Sequence, residues 1–298
     1  MGELKKYINT VRLGDVIDLL KSVPDKSVDM IYSDPDYNVG VKYGDKSYST
    51  SFEKYTDWYI ELCRQSLRVL KDDGNMFLIN YPKQNAHLRV KYLDEACFEV
   101  LDYAWIYNSN IGHSPKRFTT AHRSILHCRK TANNKFYKNA VAQPYQNPTD
   151  RRIKGNIANG SAGRMPYDWF YFNLVKNVSK EKTFHACQIP QELAEMLVKA
   201  TTVENDIVLI HFGGSGSEID VCRRLKRNFI AAELDEKYHK LIIDRIGSGK
   251  IDEKYRLDFI KEKKERTNQL SLLENKGRYK TKKNKSLIKR KTANYKTT

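Results

Sequence analysis

The sequence predicts an α/β fold: a mostly parallel, twisted sheet with helices on both faces. Short apolar runs alternate along the chain with segments of helical periodicity, which is the pattern of strand–helix–strand units. A glycine-rich turn stands between one such strand and the helix after it. At 298 residues the chain is long enough for one large α/β domain, or two small ones, with a real core.

Taken in order, "SVDMIYS" (residues 27–33) reads as a buried strand. "YTDWYIELCRQSLRVL" (residues 55–70) spaces its apolar residues as a helix does and is expected to stop at the turn cluster "KDDGN". "NMFLINY", "FEVLDYAWIYN" and "RSILHCRK" read as three further strands. Residues 133–182 are the least regular stretch, rich in Asn, Gly, Lys and aromatics, and are expected to form an insertion rather than core. "PQELAEMLVKAT" is a helix opened by Pro190. "DIVLIHF" is then a strand, "SEIDVCRRLKR" a helix, "NFIAAELD" a strand and "EKYHKLIIDRI" a helix. There are no internal repeats.

Composition narrows the function classes. No apolar run approaches the roughly 18 residues of a membrane span, and residues 1–10 lack the apolar core of a signal peptide. The five cysteines (Cys63, Cys97, Cys128, Cys187, Cys222) are scattered, with no Cys-x-x-Cys pair, so neither a disulfide framework nor a metal site is expected. They read as thiols of a protein in a reducing cytoplasm. The formal charge of +17 is concentrated. Residues 276–298 hold ten Lys or Arg and no acid; residues 114–154 hold ten more against the single Asp150, and the rest of the chain is slightly acidic. Such concentration suits a polyanion, since each neutralised phosphate releases counterions. The tail is poor in apolar residues and reads as flexible. The internal segment interleaves its cations with Phe118, His122, Phe136, Tyr137 and Tyr145, as nucleic-acid surfaces do. Lys116, Arg117, Arg123, Arg151, Arg152 and Lys154 are its candidate DNA contacts.

Two motifs carry chemistry. "SDPDYNVG" puts Asp34, Pro35, Asp36 and Tyr37 in a turn just past a strand, where an ordinary chain reversal is the plain alternative. "HFGGSGSE" puts Phe212, Gly213, Gly214, Ser215, Gly216 and Ser217 between a strand and a helix, where backbone N–H groups can meet a ligand. Glu233 closes the next strand, near the spacing at which nucleotide folds place an acid for ribose hydroxyls. Ile219 stands where a dinucleotide fingerprint wants a third glycine, which favours an adenosyl ligand other than NAD.

With these motifs in this order, joined by "GDVIDLL", "KRFTTAHRSILHC" and "HACQIPQEL", the chain resembles the circularly permuted β class of DNA adenine-N6 methyltransferases over residues 13–246. The resemblance implies a Rossmann-like methyltransferase fold, S-adenosyl-L-methionine as cofactor and double-stranded DNA as substrate. It leaves room for a homodimer and for a cognate restriction endonuclease. It divides the chain into a catalytic half (1–130), a target-recognition insertion (131–182), a cofactor half (183–247) and a basic tail (248–298). Asp34 and the Pro35 carbonyl would accept hydrogen bonds from the target amine, localising its lone pair as positive charge develops. Tyr37 would stack on an adenine rotated out of the duplex. Asp34, where the cytosine-N4 enzymes have serine, points to adenine. Asp15 and Val16 would meet the cofactor adenine, Glu233 its ribose, and residues 212–217 its methionine.

Three departures from the family pattern stand out. Asp36 replaces a second proline, which is expected to soften the turn. Ile210 and His211 stand in place of Asp-Pro, removing a carboxylate expected near the cofactor ammonium. Ile189 replaces a lysine that commonly holds the cofactor carboxylate. Two other readings stay open here: a homologue that binds DNA, or pairs with an active subunit, without methylating; and a metal-dependent phosphotransferase or glycosyltransferase using Asp34 and Asp36.

Overall fold

The computed structural model describes residues 3–40, 42–43, 46–47, 49–109, 115–175, 177, 179 and 181–264. In chain order the first elements are β1 (Thr10–Leu13), α1 (Val16–Ser22), β2 (Val28–Ser33), β3 (Lys42–Tyr43), β4 (Lys46–Ser47), α2 (Phe52–Val69) and β5 (Leu70–Asn80). Next come α3 (Pro82–Leu88), α4 (Asp94–Ala96), β6 (Glu99–Ile106), β7 (His122–Arg129), α5 (Lys138–Val141), α6 (Arg151–Ala158) and β8 (Trp169–Tyr171). The chain continues with α7 (Gln191–Thr201), β9 (Ile207–Ile210), α8 (Ser217–Arg224), β10 (Asn228–Glu233) and α9 (Glu236–Ser248).

Eight strands form one sheet in the order β1-β10-β9-β2-β5-β7-β6-β8, and β7 alone runs antiparallel to its neighbours β5 and β6. The alternation along each central strand sorts side chains between two cores. Ile31, Leu209, Ile230, Met76 and Leu78 face one core, against α1, α2 and α3. Met30, Tyr32, Val208, Ile210, Phe229 and Phe77 face the other, against α7, α8 and α9. Helix α2 shows why sequence and packing agree. Ser51 caps it by accepting from the Lys54 N–H (3.3 Å), and Tyr55, Tyr59, Leu62, Cys63, Ser66 and Leu67 recur on one buried stripe.

Strands β2 and β9 are parallel neighbours, yet the chain leaves them in opposite directions, β2 toward β5 and β9 toward β10. That divergence opens a crevice at their carboxyl ends, the usual ligand position in sheets of this kind. Tyr32 pairs with Ile210, and the His211 N–H donates to the Tyr32 carbonyl (3.0 Å). The "SDPDYNVG" and "HFGGSGSE" loops therefore begin side by side although they lie far apart in sequence.

Several expectations need correction. The "KDDGN" cluster does not end in a turn before a strand. It lies inside β5, where the register jumps from Val28–Leu70 to Met30–Asn75 and Lys71–Gly74 bulge outward. Buried Asp29 on β2 takes one donor from the bulge, Lys71 at 2.7 Å, and two from elsewhere, Lys135 at 2.7 Å and the Ile207 N–H at 3.0 Å. Segment 133–182 is not wholly outside the core sheet, since β8 pairs in parallel with β6 at its edge. Strand β1 carries no strand signal in the sequence, because only four largely exposed residues form it. The segment after residue 248, expected to be flexible, begins as packed structure. The Tyr255 hydroxyl donates to Asp244 (2.6 Å) and the Leu257 N–H to the Lys182 carbonyl (2.9 Å). The basic run 276–298 lies outside the described residues.

Candidate active site

Four loops at the carboxyl edge of the sheet enclose a cavity of about 320 Å³, at the lower end of the roughly 300–1,000 Å³ of small-molecule sites. They follow β1 (Gly14, Asp15, Val16), β2 (Asp34, Asp36), β9 (His211, Phe212, Gly214, Ser215) and β10 (Glu233, Leu234, Asp235). Thr50, Tyr55 and Trp58 of α2 and the loop before it, Glu218 from α8, Ala232 of β10, Tyr238 from α9 and, from segment 185–189, His185, Cys187, Gln188 and Ile189 also line it.

The β9 loop is shaped by its backbone. Gly214 (φ +54) and Gly216 (φ +75) take left-handed conformations that cost an L side chain about 1–2 kcal/mol each. Gly216 then starts α8, turning the helix N-terminus toward the cavity. The Gly214 N–H donates to Glu233 (2.7 Å), and the other Glu233 oxygen accepts from the Asp235 N–H (2.8 Å). Burial raises the Glu233 carboxyl above its ordinary range and these amides work against that. Asp15 caps α1 by accepting from the Ile17 N–H (2.7 Å), which leaves its outer edge to the cavity, and Val16 is buried beneath it. Phe212 packs obliquely on Trp58, with ring centroids 6.1 Å apart, forming an apolar wall.

The β2 loop is held differently. The Tyr37 hydroxyl donates to the Asp34 carboxylate. Burial pushes the Asp34 carboxyl up to about 8, Tyr37 opposes this, nearby Glu218 adds to it and Arg123 opposes it. Tyr37 is itself buried, its ring edge-on to Tyr81 at 5.3 Å. The expected open stacking face is thus absent in this state, where Tyr37 serves as a hydrogen-bond donor. Asp36, expected to soften the turn, sits in a well-braced one. The Asp36 carbonyl accepts from Tyr55 (2.8 Å), the Tyr37 carbonyl from Gln84 (2.7 Å), and the Asp36 carboxylate from the Asn38 N–H (3.1 Å). Side chains of α2 and α3 thus supply the rigidity a proline ring would have given. The second Asp36 oxygen is buried without a partner.

Arg123, one of the candidate DNA contacts, packs among aromatic rings at the start of β7. It stacks over Tyr81 (3.9 Å), lies 5.2 Å from the Tyr37 ring centroid and hydrogen-bonds Tyr107. Lys116 and Arg117 are exposed and outside the cavity. Arg151, Arg152 and Lys154 project from α6, which Asp150 caps by accepting from the Arg152 N–H (2.8 Å). Glu218, Trp58, Tyr55, Thr50 and Tyr238 were missed as lining residues. Their own motifs are ordinary helix and loop sequence, and only their packing brings them here. Among the described residues no group of three or more His, Cys, Asp or Glu is placed to hold a metal ion.

A loop–helix glycine turn, a backbone-tied acid at the end of the next strand and a buried Asp-Pro turn thus meet in one crevice of an α/β sheet. The DNA methylase family profile of N6 and N4 methyltransferases matches residues 28–244, and the chain belongs to that family. It is 28% identical over 262 residues to the type II methyltransferase M.BglII of Bacillus subtilis, covering 84% of this chain and 71% of that one. It is 26% identical over 246 residues to the DNA adenine methyltransferase YhdJ of Escherichia coli (strain K12), covering 80% and 82%. Among solved structures, the PvuII cytosine-N4-specific DNA methyltransferase superposes with a TM-score of 0.59 at 20% identity, over 77% of this chain and 83% of that one. The M1.HpyAVI–SAM complex does so at 0.52 and 21%, over 79% and 98%. These structures share the fold, and the family is dependent on S-adenosyl-L-methionine.

Proposed function

We propose that this DNA methyltransferase modifies the N6 amine of adenine in duplex DNA. The observation that carries the reading is the convergence of Asp34 with Gly214 and Glu233 on one cavity. The residues fit the cofactor: Asp15 and Val16 for the adenine, Glu233 for the ribose, the glycine turn and Phe212 for the methionine arm. Bound there, the cofactor supplies an electrophilic methyl group.

The chain's own residues would do the rest. An aromatic amine is a poor nucleophile because its lone pair is delocalised into the ring. Asp34, as carboxylate, and the Pro35 carbonyl accept from the two amine hydrogens, draw the nitrogen toward tetrahedral geometry and bind it more tightly as charge develops. Tyr37 yields its hydrogen bond when the amine takes its place, and its ring becomes free to stack on the base. Reaching that amine requires the base to leave the duplex. Segment 131–182, with Arg151, Arg152 and Lys154 on α6 and with Lys116 and Arg117 nearby in sequence, is read as the DNA-facing region. Asp34, at the position of serine in the resemblance to cytosine-N4 enzymes, favours adenine, as does the adenine specificity in the name of YhdJ. The type II relatives also favour a cognate restriction endonuclease as functional partner.

The test is transfer of an isotopically labelled methyl group to duplex DNA, followed by digestion to nucleosides and mass spectrometry. Label in N6-methyladenine supports the proposal; label in N4-methylcytosine overturns the base assignment.

A further inference from the structure

A carboxylate expected at residue 210 is replaced by Ile210, whose side chain is buried in the α7–α9 core. A positively charged ligand arm in this cavity therefore needs another acceptor. Two residues that the sequence did not assign offer one.

Glu218 is the second residue of α8, 93% removed from solvent (7% exposed), and lines the cavity. Arg245, whose charge is felt at Glu218, is committed elsewhere, to the Ser215 carbonyl (2.9 Å) and to Asp220 (3.1 Å). Burial pushes the Glu218 carboxyl up to about 7, with its own amide and Arg245 opposing too weakly to restore an ordinary value. The fold leaves this charge uncompensated, which is costly unless a ligand completes it.

His211 is fully buried and lines the same cavity. Its tautomer follows from its neighbour. The Ser66 hydroxyl donates to the Leu62 carbonyl (2.7 Å), so toward His211 it can only accept, and it lies 2.9 Å from Nε2. The proton of the neutral ring is thus on Nε2, and Nδ1 is a bare lone pair. That Nδ1 is buried without a partner. Burial also lowers the imidazole to about 3, so it stays an acceptor at neutral pH.

A carboxylate and an imidazole lone pair are both acceptors; together they suit a multi-donor cation and repel an anion. We propose that Glu218 and His211 receive the α-ammonium of the cofactor's methionine arm, Glu218 supplying the charge and His211 Nδ1 a hydrogen bond. The proposal rests on the cofactor assignment above. It explains how the cavity recognises that arm without a carboxylate at residue 210.

Calorimetry on the full chain with three probes separates the two. S-adenosylmethionine has both sulfonium and ammonium, S-adenosylhomocysteine has the ammonium alone, and 5′-methylthioadenosine has neither. Glu218→Gln, nearly isosteric, is expected to weaken the first two alike, by about tenfold or more, the range for a lost charge-assisted hydrogen bond. Methylthioadenosine affinity stays unchanged, which also shows that the variant is folded. Loss confined to S-adenosylmethionine would assign Glu218 to the sulfonium and overturn the proposal, as would unchanged affinity for both. Failure of the wild-type chain to bind any of the three would instead bring down the cofactor assignment itself. For His211, the Asn variant keeps an acceptor near the Nδ1 position and should bind S-adenosylhomocysteine more tightly than the Leu variant. Equal affinities would remove His211 from the pair.

Discussion

Asp34 and Glu233 both stand at the carboxyl ends of parallel strands and both line one cavity, yet the fold treats them in opposite ways. Glu233 has each oxygen tied to a backbone N–H, from Gly214 and Asp235. Asp34 accepts from one side chain, the Tyr37 phenol, and is pushed up to about 8 by burial. Glu233 is saturated by the backbone that positions it, as the proposed hold on a fixed ligand would require. Asp34 has a single side-chain donor and no backbone amide tie, and although burial raises both carboxyls it is Asp34 that is pushed as far as about 8.

The largest expected effect comes from removing the second carboxylate. Asp34→Ala should lower single-turnover methyl transfer by at least about a hundredfold, the scale for deleting one transition-state hydrogen-bonding partner. Duplex affinity should hardly move. A near wild-type rate would remove Asp34 from the chemistry and dissolve the contrast. A pH profile sharpens it next. Only ionised Asp34 accepts both as a charge and as a hydrogen-bond partner, so kcat/KM for the cofactor should rise about tenfold per pH unit toward about 8 and then level. Since the Tyr37 hydrogen bond lowers that carboxyl, Tyr37→Phe should move the rise to higher pH; an unmoved or acid-shifted limb would contradict the pairing.

On the other side of the comparison, Glu233→Gln should weaken cofactor binding by about tenfold, by calorimetry, with little change in rate at saturation. A rate defect of the Asp34 kind would mean that the two acids share a role. Stability gives a smaller signal with a definite sign. Folded Asp34 binds its proton up to about pH 8 while the unfolded chain releases it near pH 4, so this group makes stability fall as pH rises between those values. Asp34→Asn should therefore raise the melting temperature by a few degrees at pH 8 and leave it nearly unchanged at pH 4. A lower melting temperature at pH 8 would show the charge to be compensated in the folded state. The smallest effect concerns neither acid. Replacing Arg151, Arg152 and Lys154 by Gln should flatten the salt dependence of DNA affinity by about one unit of slope per lost phosphate contact, for target and scrambled duplexes alike. Loss of target discrimination by these substitutions would give α6 a role in reading bases.

Two features that local composition does not show are of one kind. "KDDGN" has the composition of a turn, but it forms a bulge whose Lys71 pairs with Asp29 on the neighbouring strand. Arg123 reads as one more cation of a basic run, and composition gives no sign that the strand end it occupies stacks it on Tyr81. In both cases a residue's partner lies tens of positions away, beyond the reach of local composition.

The sequence by itself determined the alternation of strands and helices, the two glycine and Asp-Pro turns, and their order along the chain. These follow from periodicity, backbone sterics and capping, all of which act over a few residues. Tertiary structure alone decided that the chain leaves β2 and β9 in opposite directions and so opens the crevice. It also decided that α2 and α3 would brace the turn at Asp36, and that Glu218 and His211 would line the same cavity as Asp34 and Glu233, with His211 Nδ1 buried without a partner. The physical reason is burial: the cost of an unpaired carboxylate or a bare imidazole nitrogen depends on what surrounds it, and the surroundings are set by strands distant in sequence.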